Sequence, residues 1–154
     1  MISRISLGLL GGALVLSLGA SLAFAALSGD DAITARQTCM KGNGKTMGVL
    51  VPIIKGEKPY DAAAVKAAMD AEGAACAKWP EFFPADSKTS KALKTRALEA
   101  IWKDPKGFEA AGNAYYKAFT ELAATKDEAG FKAKFPALGA GCGGCHEKFR
   151  APAP

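Results

Sequence analysis

Cys142-Gly143-Gly144-Cys145-His146 stands near the end of the sequence. C-x-x-C-H is the attachment signature of a c-type haem. In that chemistry both thiols add to the vinyl groups of the porphyrin, and the adjacent imidazole reaches the iron from one side. Two intervening residues let both sulfurs meet one edge of the ring from a single helical turn. The two glycines let the backbone lie close against it. Cys142 and Cys145 are the expected covalent anchors of one haem c, and His146 is the expected axial ligand.

Other readings of a C-x-x-C pair fit less well. A thioredoxin-type redox pair belongs to a βαβ pattern, and the sequence shows almost no strand signal. A zinc site needs four ligands, usually from two such pairs. Here there is one pair and one histidine, and that histidine falls at the fifth motif position.

The chain has 154 residues, the size of one domain. Its start reads as an export signal. Arg4 precedes an apolar, uncharged run from Leu7 to Leu22, and Ala23-Phe24-Ala25 has the small-x-small form of a cleavage site. The run is short of the roughly 20 residues a membrane span needs. The expectation is a signal peptide over 1–25, cut after Ala25, with a soluble domain over 26–154 and no lasting membrane insertion. Export agrees with the motif, because bacteria attach haem covalently outside the cytoplasmic membrane; the expected location is the periplasm. Losing Arg4 takes the net charge from +5 to +4. The lysines are spread along the chain, which argues against nucleic acid and fits weak steering toward an acidic redox partner.

Hydrophobic spacing predicts helices. The first runs from Asp30 to Ile54, with Ile33, Met40, Met47, Val51 and Ile54 on one face, a cap at Asp30 or Asp31, and an early end at Pro52. Lys55-Gly56-Glu57-Lys58-Pro59 is a break. The second runs from Asp61 to about Trp79 with the stripe Val65, Met69, Gly73 and Cys76, and Pro80 stops it. Residues 79–90 form a linker, and Lys91 to Lys103 holds a short helical piece. Asp104-Pro105 starts the third helix, whose stripe is Phe108, Ala111, Tyr115, Phe119 and Leu122. The fourth begins near Asp127, with Phe131, Phe135, Leu138, Cys142, Cys145, His146 and Phe149 on one face and a kink at Pro136. Four such helices with mostly short connections give an all-α, up-down-up-down four-helix bundle around a covalently attached haem.

Several stretches also resemble a known family. These are Arg36-Gln37-x-x-Met40-Lys41, the turn at 55–59, Phe83-Pro84, Ile101-Trp102, and Cys142-x-x-Cys145-His146-x-x-Phe149-Arg150. They are similar to the cytochrome c′ family of class II c-type cytochromes, in particular its low-spin branch, cytochrome c-556. The resemblance spans nearly all of the domain. The haem motif is common to all c-type cytochromes; its place at the end of an all-helical chain is what makes the match specific.

The second axial position decides the function. No second histidine exists, so Met, Lys or an open position remain. In an up-down bundle the end of helix four lies beside the start of helix one. Met40 is about two to three turns into helix one, whereas Met47 is roughly 10 Å further away at 1.5 Å per residue. Met69 lies level with Lys45, also far from the haem end. Met40 is the best-placed candidate, and the resemblance points to it too, as the low-spin branch has its methionine ligand there. Such His/Met ligation raises the reduction potential and suits a single-electron carrier. The alternative is a five-coordinate member that binds nitric oxide or carbon monoxide, with Met40 as core filler.

By resemblance, Arg36 approaches a haem propionate, where a guanidinium fork suits a carboxylate. Arg150, one turn past His146, either modulates the imidazole or guides a partner. Cys39 and Cys76 lie outside the motif. They fall 18 residues before and 19 after Glu57, nearly level in an antiparallel hairpin. In an oxidising compartment they are expected to form a disulfide. No general acid, nucleophile or substrate pocket is indicated, so no enzyme activity is expected. The resemblance allows a homodimer packed through the first two helices.

Overall fold

The computed structural model describes residues 27–152. The expected leader over 1–25 and its cleavage site lie outside the described residues. Five helices make up the fold: α1 (Gly29–Ile54), α2 (Ala62–Cys76), the single turn α3 (Ala100–Lys103), α4 (Pro105–Ala123) and α5 (Glu128–Phe149). The four long ones form the expected bundle. α1 packs on α2 and α4 on α5, as two hairpins laid together.

Capping residues set most of the starts. Asp61 accepts from the backbone N–H of Ala63 and Ala64, Asp104 from Gly107, and Asp127 from Gly130. At α1 the cap is Ser28 instead of Asp30 or Asp31. Those two aspartates occupy the first turn, where negative charge suits the exposed N–H groups. The first turn-end is Gly56, the one residue among those described with positive φ, at 74°.

Three sequence expectations need correction. α1 does not stop at Pro52 but continues to Ile54. The proline removes one hydrogen bond, to the carbonyl of Gly48, a residue exposed to solvent. α2 ends at Cys76, not Trp79. Pro80 disfavours helical geometry at Trp79, and the chain tightens into a 3-10 turn over Trp79–Phe82. The buried face of α1 is Ala32, Ile33, Arg36, Cys39, Thr46, Leu50 and Ile53, rotated from the stripe that apolar spacing gives. Its buried polar members, Arg36 and Thr46, are invisible to a hydrophobic count. α5 remains one helix through Pro136.

The apolar core is Leu50, Ile53, Val65, Met69, Leu122, Phe131 and Leu138. These residues gather toward the end of the bundle that holds the 55–61 and 124–127 turns. Cys142–His146 therefore lies at the other end, under the linker.

Cys39 and Cys76 meet where α1 and α2 cross that end. Their Cα atoms are 5.0 Å apart and their sulfurs stand at bonding distance.

Candidate haem-attachment site

Cys142, Cys145 and His146 share one face of α5, and all three are half-buried. Cys142 and Cys145 are free thiols. Burial pushes both thiols above their ordinary range, and the Glu72 carboxylate adds to the effect at Cys142. Burial lowers the pKa of His146 below 6.5, and the positive charges of Arg150 and Arg96 lower it further. At neutral pH the imidazole is neutral and its nitrogen lone pair is available to a metal. Two adjacent free thiols and a neutral imidazole are the donor set a covalent haem requires. A Cβ at Gly143 or Gly144 would meet no heavy atom within 4 Å, so neither glycine is demanded by protein packing.

An aromatic wall stands beside this face. Phe149, one turn after His146, packs edge-on against Phe108 at 5.1 Å between ring centroids. Phe108 meets Phe83 at 4.7 Å, and Phe83 meets Trp79 at 4.7 Å. The linker is stitched to the end of α5 by backbone pairing. The Leu98 N–H donates to Phe149 O at 3.0 Å, and the Ala151 N–H to Arg96 O at 2.8 Å. The Arg96 guanidinium donates back to Ala151 O.

Arg36 is 5% exposed and anchors that linker. Its two terminal nitrogens donate to Phe82 O at 3.0 Å, Ser87 Oγ at 2.8 Å, Ser87 O at 2.8 Å and Thr95 Oγ1 at 3.2 Å. The guanidinium lies over Phe83 at 5.1 Å and Trp102 at 5.8 Å. Burial lowers its pKa. All four hydrogen bonds go to the linker, so its first role is to hold the loop that covers the site.

Met40 is half-buried on α1, one turn after Arg36. Met69 belongs to the apolar core and Met47 packs against it; Met40 does neither. Arg150 is exposed.

The sequence reading missed Glu72. It sits on the α2 stripe, three residues after Met69 and four before Cys76, and is 3% exposed. The Tyr115 hydroxyl of α4 donates to it. The Asn43 amide of α1, with its nitrogen turned inward, donates to Glu72 Oε1 at 2.9 Å and to Cys39 O at 3.3 Å. The available signal was a carboxylate within an otherwise small and apolar stripe.

The chain is also similar to known proteins. The family model described as cytochrome C′ matches residues 31–150. A cytochrome c-556 of Agrobacterium tumefaciens (strain II Chrys) is 38% identical over 122 residues, covering 77% of this chain and 95% of that protein. A cytochrome c′ of Rhodopseudomonas palustris is 35% identical over 127 residues, covering 82% of this chain and 86% of its own length. The crystal structure of cytochrome c′ from Rubrivivax gelatinosus superposes with a TM-score of 0.73 at 27% identity, over 80% of this chain and 98% of that one.

Proposed function

Because the chain belongs to the cytochrome c′ family and so carries covalently attached haem c, we propose that it is a periplasmic single-electron carrier with His146 and Met40 as axial ligands. The observation that carries this reading is the placement of the methionines. Of the three on described residues, Met47 and Met69 serve the apolar core, and Met40 stands outside it on α1, half-buried. A thioether there has no packing duty in that cluster and is available to iron.

The haem, when bound, supplies a one-electron couple. The residues of the chain do the rest. Cys142 and Cys145 fix the ring to α5. His146 is held neutral by burial and by Arg150 and Arg96, so it binds metal in preference to a proton. Phe83, Phe108 and Phe149 keep water from the proximal side. Arg36 keeps the linker over the site; with its terminal N–H groups given to Phe82, Ser87 and Thr95, only its Nε–H is left for the haem propionate that the family resemblance assigns to it. The exported chain carries a Cys39–Cys76 disulfide, which the 5.0 Å Cα separation accommodates.

The partner is an acidic redox protein. Lys88, Lys91, Lys94 and Arg96 are exposed along the linker with no acidic residue between them, and Lys148 and Arg150 join them from α5. Charge complementarity of this kind acts mainly on the rate of encounter.

Met40→Ala is the direct test. The expected outcome is loss of the low-spin absorption spectrum in both oxidation states, with a high-spin ferrous form that takes up carbon monoxide. An unchanged spectrum removes Met40 from the iron. A native protein that is already high-spin and binds carbon monoxide favours the gas-binding alternative.

A further inference from the structure

We propose that Glu72 sets the reduction potential of the attached haem, as a buried negative charge beside the Cys142 attachment point. Three observations meet there. Glu72 is 3% exposed, deep between α2, α1 and α4. Its partner Tyr115 packs on α5 at Gly141, the residue before Cys142, where a Cβ would stand 2.9 Å from Tyr115 Cα, so the Glu72–Tyr115 pair lies beside the edge of the ring that Cys142 anchors; the same carboxylate helps raise the Cys142 thiol pKa. Its contacts are the Tyr115 hydroxyl and the Asn43 amide, both neutral donors.

No ion pair among the described residues includes Glu72. The lysines that share its surroundings, Lys41 and Lys45, line the α1–α2 groove into which Glu72 also opens, and both are exposed to solvent. Neutral donors support a carboxylate without cancelling its charge. In a low-dielectric interior that charge acts at a distance that water would screen. Reduction adds one electron to the iron and so one unit of negative charge beside an existing one. Glu72 disfavours that change and holds the potential down, opposing the upward pull of a thioether ligand.

The placement also accounts for Tyr115. Burial and the neighbouring Glu72 raise its pKa, so it remains a protonated donor. Tyr115 and Glu72 tie α4 to α2 across the bundle, beside the helix that bears the cysteines. Charge and geometry at the ring edge are thus set by one cluster.

The test is the midpoint potential of the haem-loaded protein, by spectroelectrochemical titration at pH 8. Glu72→Gln keeps the shape and removes the charge. It is expected to shift the reduced-to-oxidised ratio at fixed ambient potential about tenfold toward the reduced form, which is about 59 mV for one electron. Glu72→Asp keeps the charge and should restore most of the native value. Asp70→Asn, on the same helix but exposed and paired with Lys66, should leave the potential unchanged.

Tyr115→Phe supplies an independent arm should Glu72→Gln fail to fold. It strips one donor from the carboxylate, leaves the charge less compensated, and should lower the potential. Opposite shifts in the two variants fit a charge effect. Shifts in the same direction, or none in Glu72→Gln, overturn the proposal. The inference needs haem on Cys142 but not Met40 on iron. Spin state reports the ligand and potential reports Glu72, so the two readings fail separately.

Discussion

Arg36 shows how much one side chain holds in place here. Four acceptors, two of them backbone carbonyls, depend on its two terminal nitrogens. Arg36→Lys keeps the charge but replaces a planar fork with a point donor, so buried acceptors lose their partners. A loss of about 2–3 kcal/mol in unfolding free energy is expected by denaturant titration. At this scale the attachment residues were legible, because covalent haem chemistry demands a literal pattern of residue types. The duty of Arg36 was not. Its partners are Phe82 O, Ser87 and Thr95, 46 to 59 residues away and half of them backbone carbonyls, and no spacing rule reaches them. Glu72 was hidden for a different reason. A charge among alanines reads as solvent-facing until Tyr115 and Asn43 are seen around it.

The long helices were legible in number and order, and three of them in their starts, since Asp61, Asp104 and Asp127 announce their own caps, whereas α1 is capped by Ser28 and not by Asp30 or Asp31. Their ends and faces were less so. α2 stops at Cys76, short of the Pro80 signal, and the Trp79 ring beyond it packs with Phe83 and Phe108 from other parts of the chain. α4 crosses α5 tightly at Gly141. A Cβ on Gly141 would lie 2.9 Å from Tyr115 Cα, against backbone that cannot swing aside. Gly141→Ala should push the two helices apart and cost about 1–3 kcal/mol. Gly44 in α1 has nothing within 4 Å of its would-be Cβ. Gly44→Ala should instead stabilise by up to about 1 kcal/mol through helix propensity. Thermal melts of the two variants should therefore move in opposite directions. A gain in both variants would mean that Gly141 is not a crossing point.

As a whole the molecule divides into an apolar end, with its core at Leu50, Val65, Leu122 and Phe131, and a chemical end. The chemical end is held by longer-range ties: Arg36 to the linker, residues 96–98 to 149–151, and the proposed disulfide. Reducing Cys39–Cys76 should cost about 3–4 kcal/mol for a loop of this length. The bundle should survive it, because the apolar core lies elsewhere. A reduced protein that still gives its native haem spectrum but melts earlier would bear this out.

That same pairing has a consequence for maturation. Of the six single disulfides that the four cysteines could form, only Cys39–Cys76 leaves both attachment thiols available. Cys39 and Cys76 precede Cys142 and Cys145 in the chain, and the hairpin of α1 and α2 brings them together without any help from α5. Once bridged, Cys39 is 1% exposed and Cys76 half-buried, which limits a thiolate's access to the bond. Early pairing thus acts as a sorting step that removes two competitors before the ring arrives. Cys39→Ser alone strands Cys76 as a rival thiol and should lower the yield of haem-loaded protein. Cys39→Ser with Cys76→Ser should recover the yield while giving up the stability. Loading that falls equally in both would show that the bridge protects the fold and not the chemistry.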